Sequence, residues 1–154
     1  MNERGSDSAG VARWSGAQWW MLIVSCMAVA LVVAAMAALY SALPQIAVAT
    51  RATQAQLTWI VDGYTLVLAC FVLPAGAIGD RYGRRGVLVA GVALFAFASA
   101  LPLFLADPAW LIAARALAGA GAALVMPSTL SILTAGFPPA HRGRAVGVWA
   151  GVAG

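Results

Sequence analysis

Between Trp19 and Leu43 the chain runs for twenty-five residues without one charged side chain. At 1.5 Å of rise per residue, about 20 apolar residues suffice to cross the hydrocarbon core of a bilayer. This stretch exceeds that length, and it is too long for the apolar segment of a cleaved signal peptide, about 7–15 residues. In lipid the backbone has no water to bond with, so a segment of this kind is forced into a helix. A first transmembrane helix is therefore expected over residues 19–43. Pro44 is expected to end it or to kink its last turn. Trp14, Trp19 and Trp20 precede it, and indole rings favour the headgroup level where a helix enters the membrane.

The pattern repeats downstream. Apolar runs occupy residues 57–78, with Asp62 as their one charge, 87–105, with none, and 109–135, with Arg115; a fifth opens at Ala145. The connecting segments carry the polar groups: a linker at 45–57, the stretch Gly79–Gly86, the pair Asp107-Pro108 and the stretch Phe137–Arg144. Residues 1–17 read as a disordered cytoplasmic tail and 18–154 as an incomplete transmembrane domain. Composition agrees: 63% of the residues are hydrophobic and 9% are charged, against about 25% charged in a soluble domain. The expected fold class is all-α, a polytopic transmembrane helix bundle.

Charge then orients the bundle. All nine basic residues are arginines, set against five acidic ones. They form no stripe and alternate with no aromatic residues, which argues against nucleic acid as a partner. With the N-terminus inside, Arg4, Arg13, Arg81, Arg84, Arg85, Arg142 and Arg144 fall on the cytoplasmic side and Arg51 alone falls outside. That asymmetry follows the positive-inside rule and places the chain in the cell membrane with a cytoplasmic N-terminus. Cys26 and Cys70 lie inside apolar runs with no metal-ligand spacing, so neither a metal site nor a disulfide is expected. His141 reads as a solvated loop side chain. No phosphate-binding glycine loop and no nucleophile–base pair is present, so no cofactor and no enzymatic activity are expected.

Three features carry chemistry. The first is the order Gly76-x-x-x-Asp80-Arg81-x-Gly83-Arg84-Arg85, with a further glycine at Gly79. The glycines permit a tight reversal and close helix approach. Asp80 is expected near the start of the third helix, where the helix dipole favours a carboxylate. The second is Arg115, followed by Gly119 and Gly121, which permit close packing of another helix. A charge inside a span costs about 2.5–3.5 kcal/mol on insertion scales and marks function unless it snorkels to the interface. The third is Asp62, about 7 Å into the second helix at 1.5 Å per residue. There it is either a proton-binding group or an interfacial acid reaching water.

The Gly76–Arg85 order resembles the signature loop between the second and third helices of the major facilitator superfamily. Arg115 and Gly119 resemble that superfamily's R-x-x-x-G motif, and the stretch Thr53–Ala69 resembles helix 2 of its fourteen-helix drug:proton antiporters, exporters of quaternary ammonium and other drugs. The resemblance implies the N-terminal part of a major-facilitator fold and proton-coupled efflux of cationic or amphipathic compounds, hence antibiotic resistance. It implies a latch formed by Gly76, Gly79, Asp80, Arg81, Gly83, Arg84 and Arg85, and proton coupling through Asp62 and Arg115. With both charges about two turns from the same ends of their helices, they are expected to share one cavity. One departure stands out. The acid common about nine residues before the Leu-Pro of helix 1 is replaced by Ala35. Met126-Pro127 echoes Leu43-Pro44, in keeping with repeated three-helix units. The implied partners are a small molecule, protons, the bilayer and transporter helices missing from this chain, which reads as a fragment or a truncated gene product. A sugar or metabolite facilitator of the same superfamily and a small membrane scaffold are the alternatives.

Overall fold

The computed structural model describes residues 14–104 and 107–154; most of the segment read as a tail lies outside them. Five helices follow in order: α1 (Gly16–Thr50), α2 (Gln54–Tyr82), α3 (Arg84–Ala100), α4 (Pro108–Gly136) and α5 (Pro139–Ala153). A 3₁₀ turn, Leu101–Leu103, extends α3. α1, α2, α3 with its 3₁₀ turn, and α4 are long and apolar enough to cross a membrane.

The helix starts are written locally. Ser15 and Gln18 form a reciprocal capping box on α1, and Thr53 and Gln56 form a second on α2. Each box satisfies two amide groups that the first turn leaves without partners. Asp107 accepts from the Ala109 amide at 2.9 Å, and Pro108 follows at the first helical position, where its missing N–H costs nothing.

α1, α2 and α4 are longer than their apolar runs. Pro44 does not end α1, which continues to Thr50, and the expected linker over 45–57 shrinks to the turn residues 51–53. α2 and α4 likewise pass through Pro74 and Pro127. A proline removes one backbone bond, whereas stopping a helix in a solvent without donors exposes several. Arg51 adopts the left-handed conformation, φ 50°, that turns the chain from α1 into α2. α3 is shorter than expected, with the 3₁₀ turn replacing its last residues, and α5 starts at Pro139 rather than Ala145.

α4 is the pillar. Half of its apolar window, 50%, is buried, against 22% in α1 and in α2. Two glycines set its crossings. A Cβ on Gly119 would collide with the Tyr64 carbonyl oxygen of α2, and a Cβ on Gly121 would stand 2.7 Å from the Phe95 amide nitrogen of α3. Gly91 of α3 completes the second crossing, its would-be Cβ 2.8 Å from Leu124. Small residues bring backbones together where lipid offers no hydrophobic drive between helices. A hydrophobic cluster closes the end at which α4 meets α5: Leu22, Leu133, Phe137 and Ala145, with Trp14 and Trp149 against it. Trp14 meets Phe137 edge-on at 5.2 Å between centroids, under the Arg144 guanidinium at 5.4 Å. The Trp149 indole N–H donates to Thr129 Oγ1 at 3.1 Å and ties α5 to α4.

Candidate functional site

At the α2–α3 turn the reversal takes a single residue. Gly83 sits at φ 98°, a region L side chains rarely adopt, and its amide donates to the Gly79 carbonyl at 3.1 Å. Asp80 therefore belongs to the last turn of α2, not to the start of α3. The helix dipole disfavours a carboxylate there, and Arg84 compensates it. Arg84 Nε and Nη2 both donate to Asp80 Oδ1, at 3.2 and 3.0 Å, and Nη1 reaches the Ser131 carbonyl of α4 at 3.0 Å. Arg84 thus bridges three helices. Arg81 instead lies over the Tyr82 ring at 5.6 Å. A cavity of about 750 Å³ is lined by Asp80, Gly83, Arg84 and Arg85 on one side and by Met21 and Gly136 on the other. Gly79 is buried against α4, with Ser128 Oγ 3.8 Å from where its Cβ would be, and Gly76 lies at the same distance from Pro127.

The two charges inside the spans do not meet. α2 turns Ile60, Gly63 and Tyr64 inward, while Asp62 and Trp59 lie on its exposed face. Asp62 lines one cavity of about 440 Å³ with Pro44, Gln54 and Thr58, and another of about 450 Å³ with Trp59, Thr65 and Leu66. Arg115 is 8% exposed and lines a third, of about 430 Å³, shared by α1, α2, α3 and α4. The single cavity expected for Asp62 and Arg115 is not formed, because Gly63 and Tyr64 occupy the side of α2 that faces α4. Equal depth along two helices says nothing about which way each residue faces.

Arg115 has other partners. Its guanidinium lies 4.5 Å above the Tyr64 ring centroid, and Nη2 reaches Met36 Sδ at 2.7 Å. Among the described residues its Nε–H has no acceptor, and the hydroxyl of Tyr64, itself 3% exposed, has no partner. Among the described residues no carboxylate lies within 4.0 Å of it, the one ion pair being Asp80–Arg84. Ala35, Ala38, Leu39, Ala42 and Ile46 of α1 line the Arg115 cavity with alkyl groups, and Met36 of the same helix supplies the sulfur. Sequence reasoning missed Tyr64 and Met36. Tyr64 had a signal in the spacing Ile60, Gly63, Tyr64, one helix face apart from Asp62; Met36 had none.

Residues 11–154 match the sequence pattern of the Major Facilitator Superfamily. The chain is 40% identical over 136 residues to the methyl viologen resistance protein SmvA of Salmonella typhimurium, covering 88% of this chain and 28% of that protein. It is 42% identical over 133 residues to the multidrug efflux pump LfrA of Mycolicibacterium smegmatis, covering 86% and 26%. It is 36% identical over 139 residues to the tetracenomycin C resistance and export protein of Streptomyces glaucescens, covering 90% and 26%. The chain therefore spans little more than a quarter of these relatives. Membrane-length helices packed on a glycine-lined α4, the arginine-bridged α2–α3 turn and a pattern match over nearly the whole sequence have one reading: the chain is multi-pass and belongs to the Major Facilitator Superfamily.

Proposed function

We propose that this chain is part of a secondary transporter that exports drugs or cationic amphipathic compounds in exchange for protons, with its N-terminus cytoplasmic. The observation that carries the proposal is Asp62. It is an exposed carboxylate on a membrane-length helix, beside the Trp59 ring and two small cavities. A carboxylate facing hydrocarbon is too costly to keep, so this face of α2 borders a polar path. An acid beside an indole suits a flat organic cation, by charge and by cation–π contact. The printed names of the relatives, methyl viologen resistance and multidrug efflux, support the same cargo class. In this reading Asp62 exchanges a proton for the cargo. Gly76, Gly79, Asp80, Arg81, Gly83, Arg84 and Arg85 form the conformational latch, in which Arg84 holds α2, α3 and α4 together. Arg115 faces a separate cavity and does not share the Asp62 site.

The test is ethidium efflux from a host stripped of its own exporters, using the protein expressed from its complete reading frame. Export should depend on an imposed pH gradient, and Asp62→Asn should abolish that dependence. Wild-type efflux with unchanged pH dependence in the Asn variant would reduce Asp62 to an interfacial acid. Orientation is read separately: a cysteine at Ala52 should label from outside the cell and one at Tyr82 should not.

A further inference from the structure

Asp62 lines two cavities, and their remaining walls differ in chemistry. Toward the start of α2, the cavity of about 440 Å³ is edged by Gln54, Thr58 and Asp62, spaced four residues apart. At 1.5 Å of rise per residue these side chains form one polar line about 12 Å long, running inward from the first turn of the helix. Thr58 Oγ1 donates its proton to the Gln54 carbonyl at 3.0 Å, so its lone pairs stay free to accept. The Gln54 amide can both donate and accept. Pro44 closes the α1 side with Leu43 and Ala47, none of which competes for these groups. The cavity has room for a file of waters, each needing about 30 Å³ and two to four polar partners. The second cavity, about 450 Å³, is walled by Trp59, Thr65 and Leu66. Thr65 is its one hydroxyl, and the ring and the alkyl chain supply the rest of the wall. No line of hydrogen-bonding groups leads out of it among the described residues. Among those residues Asp62 is also the one charged or titratable group in either lining; Tyr40, Arg51 and Tyr64 lie outside both, and Arg115 borders its own cavity.

We propose that Asp62 is a two-sided acid: protons reach it through water held by Gln54 and Thr58, and the organic cation is held on its other side by Trp59 and Thr65. The proposal rests on the exchange reading above and gives its two ligands separate entrances. A proton arriving along the Gln54–Thr58 line bonds to a carboxylate oxygen and leaves Asp62 neutral. The ion pair with the cation is lost, and the cation is released from the Trp59 side. Loss of the proton restores the charge and with it the attraction for the next cation. Residues on one side therefore govern proton delivery, and residues on the other govern cargo affinity.

The split is read with ethidium in the protein from its complete reading frame. Thr58→Val and Gln54→Leu should lower the maximal rate of pH-driven export by about tenfold, the effect of one lost hydrogen-bonded step, while the ethidium dissociation constant in detergent stays within about twofold. Thr58→Ser, which keeps the hydroxyl, should restore the rate. Trp59→Leu should do the reverse. Its dissociation constant should rise about three- to fivefold, the worth of an exposed cation–π contact, while the rate at saturating ethidium keeps its dependence on external pH. All three side chains are exposed, so the variants should fold, which melting temperatures check. A labelling arm needs no transport. Thr58→Cys, in a protein carrying Cys26→Ser and Cys70→Ser, should react with a membrane-impermeant thiosulfonate at a rate that saturating ethidium does not change. No labelling at this position, or wild-type export by Thr58→Val, overturns the water side. Equal changes in affinity and pH response from the Thr58 and Trp59 variants overturn the split and leave one undivided site. Asp62→Asn is scored in parallel. Wild-type behaviour there means that the exchange reading itself has failed, whereas abolished pH dependence without a split sinks the two-sided inference alone.

Discussion

Arg84 and Arg115 are both long cations near α4, and they are held in opposite ways. Arg84 is 39% exposed, and all three of its donor nitrogens are used, on Asp80 and on the Ser131 carbonyl. Arg115 is buried with a ring and a sulfur for company and a donor left over. The charge that water would solvate cheaply is fully bonded, and the charge that burial makes expensive is not. Stability alone would arrange the two the other way round. Arg84 thus joins α2, α3 and α4, whereas Arg115 keeps one donor without a partner among the described residues.

The largest effect should come from removing the geometry that creates the α2–α4 crossing beside Arg115. Gly119→Leu puts a branched side chain where even a Cβ collides with the Tyr64 carbonyl. Overpacking of this kind costs about 3 kcal/mol or more. The variant should aggregate on extraction from the membrane, and recovery of a monodisperse protein with a wild-type melting temperature would mean that the α2–α4 crossing is not as close as described. Next in size is the opposite end of α4. Phe137 is 2% exposed under Trp14, so Phe137→Ala should cost about 3–5 kcal/mol, read as a lowered midpoint in thermal unfolding. The smallest effect belongs to Arg84 itself. A double-mutant cycle on Asp80 and Arg84 should return a coupling of about 1 kcal/mol or less, as exposed ion pairs do. Asp80→Asn should nonetheless cut ethidium efflux severalfold while insertion is unchanged. A large coupling energy, or full efflux in the Asn variant, would make the turn an anchor and not a latch.

The contrast also marks what the sequence discloses. The Asp80–Arg84 pair is not legible in order and spacing, because it depends on Gly83 leaving Asp80 at the end of α2 and Arg84 at the start of α3, whereas the glycine hinge of the α2–α3 turn is legible there. The capping pairs Ser15/Gln18 and Thr53/Gln56 are legible for the same reason, although the helix starts expected from hydropathy fall at 19 and 57. Hydropathy locates the stretch in lipid, whereas the helix extends into the headgroup region until a cap or a turn stops it. Arg115 was conspicuous as a charge in a span, but its neighbours come from α1 and α2, and Met36 lies 79 residues away in sequence. Position along the chain sets where Asp62 and Arg115 lie on their helices, whereas the direction each faces is set by how α2 packs on α4. In a helix hydrophobic on every side, the outward and inward faces carry the same kind of residue, so the pattern that betrays a face in a soluble protein is absent.

The most direct test of the central claim compares the melting temperature of the wild type with that of Arg115→Met. Methionine keeps much of the volume, fills irregular apolar space and removes the uncompensated charge. Replacing buried ionic groups by apolar ones of similar size is often stabilising, by about 1–4 kcal/mol. The account predicts a higher melting temperature for Arg115→Met, by several degrees. A melting temperature lowered by the same amount would contradict it, and would make Arg115 a stabilising member of the core held by Tyr64 and Met36.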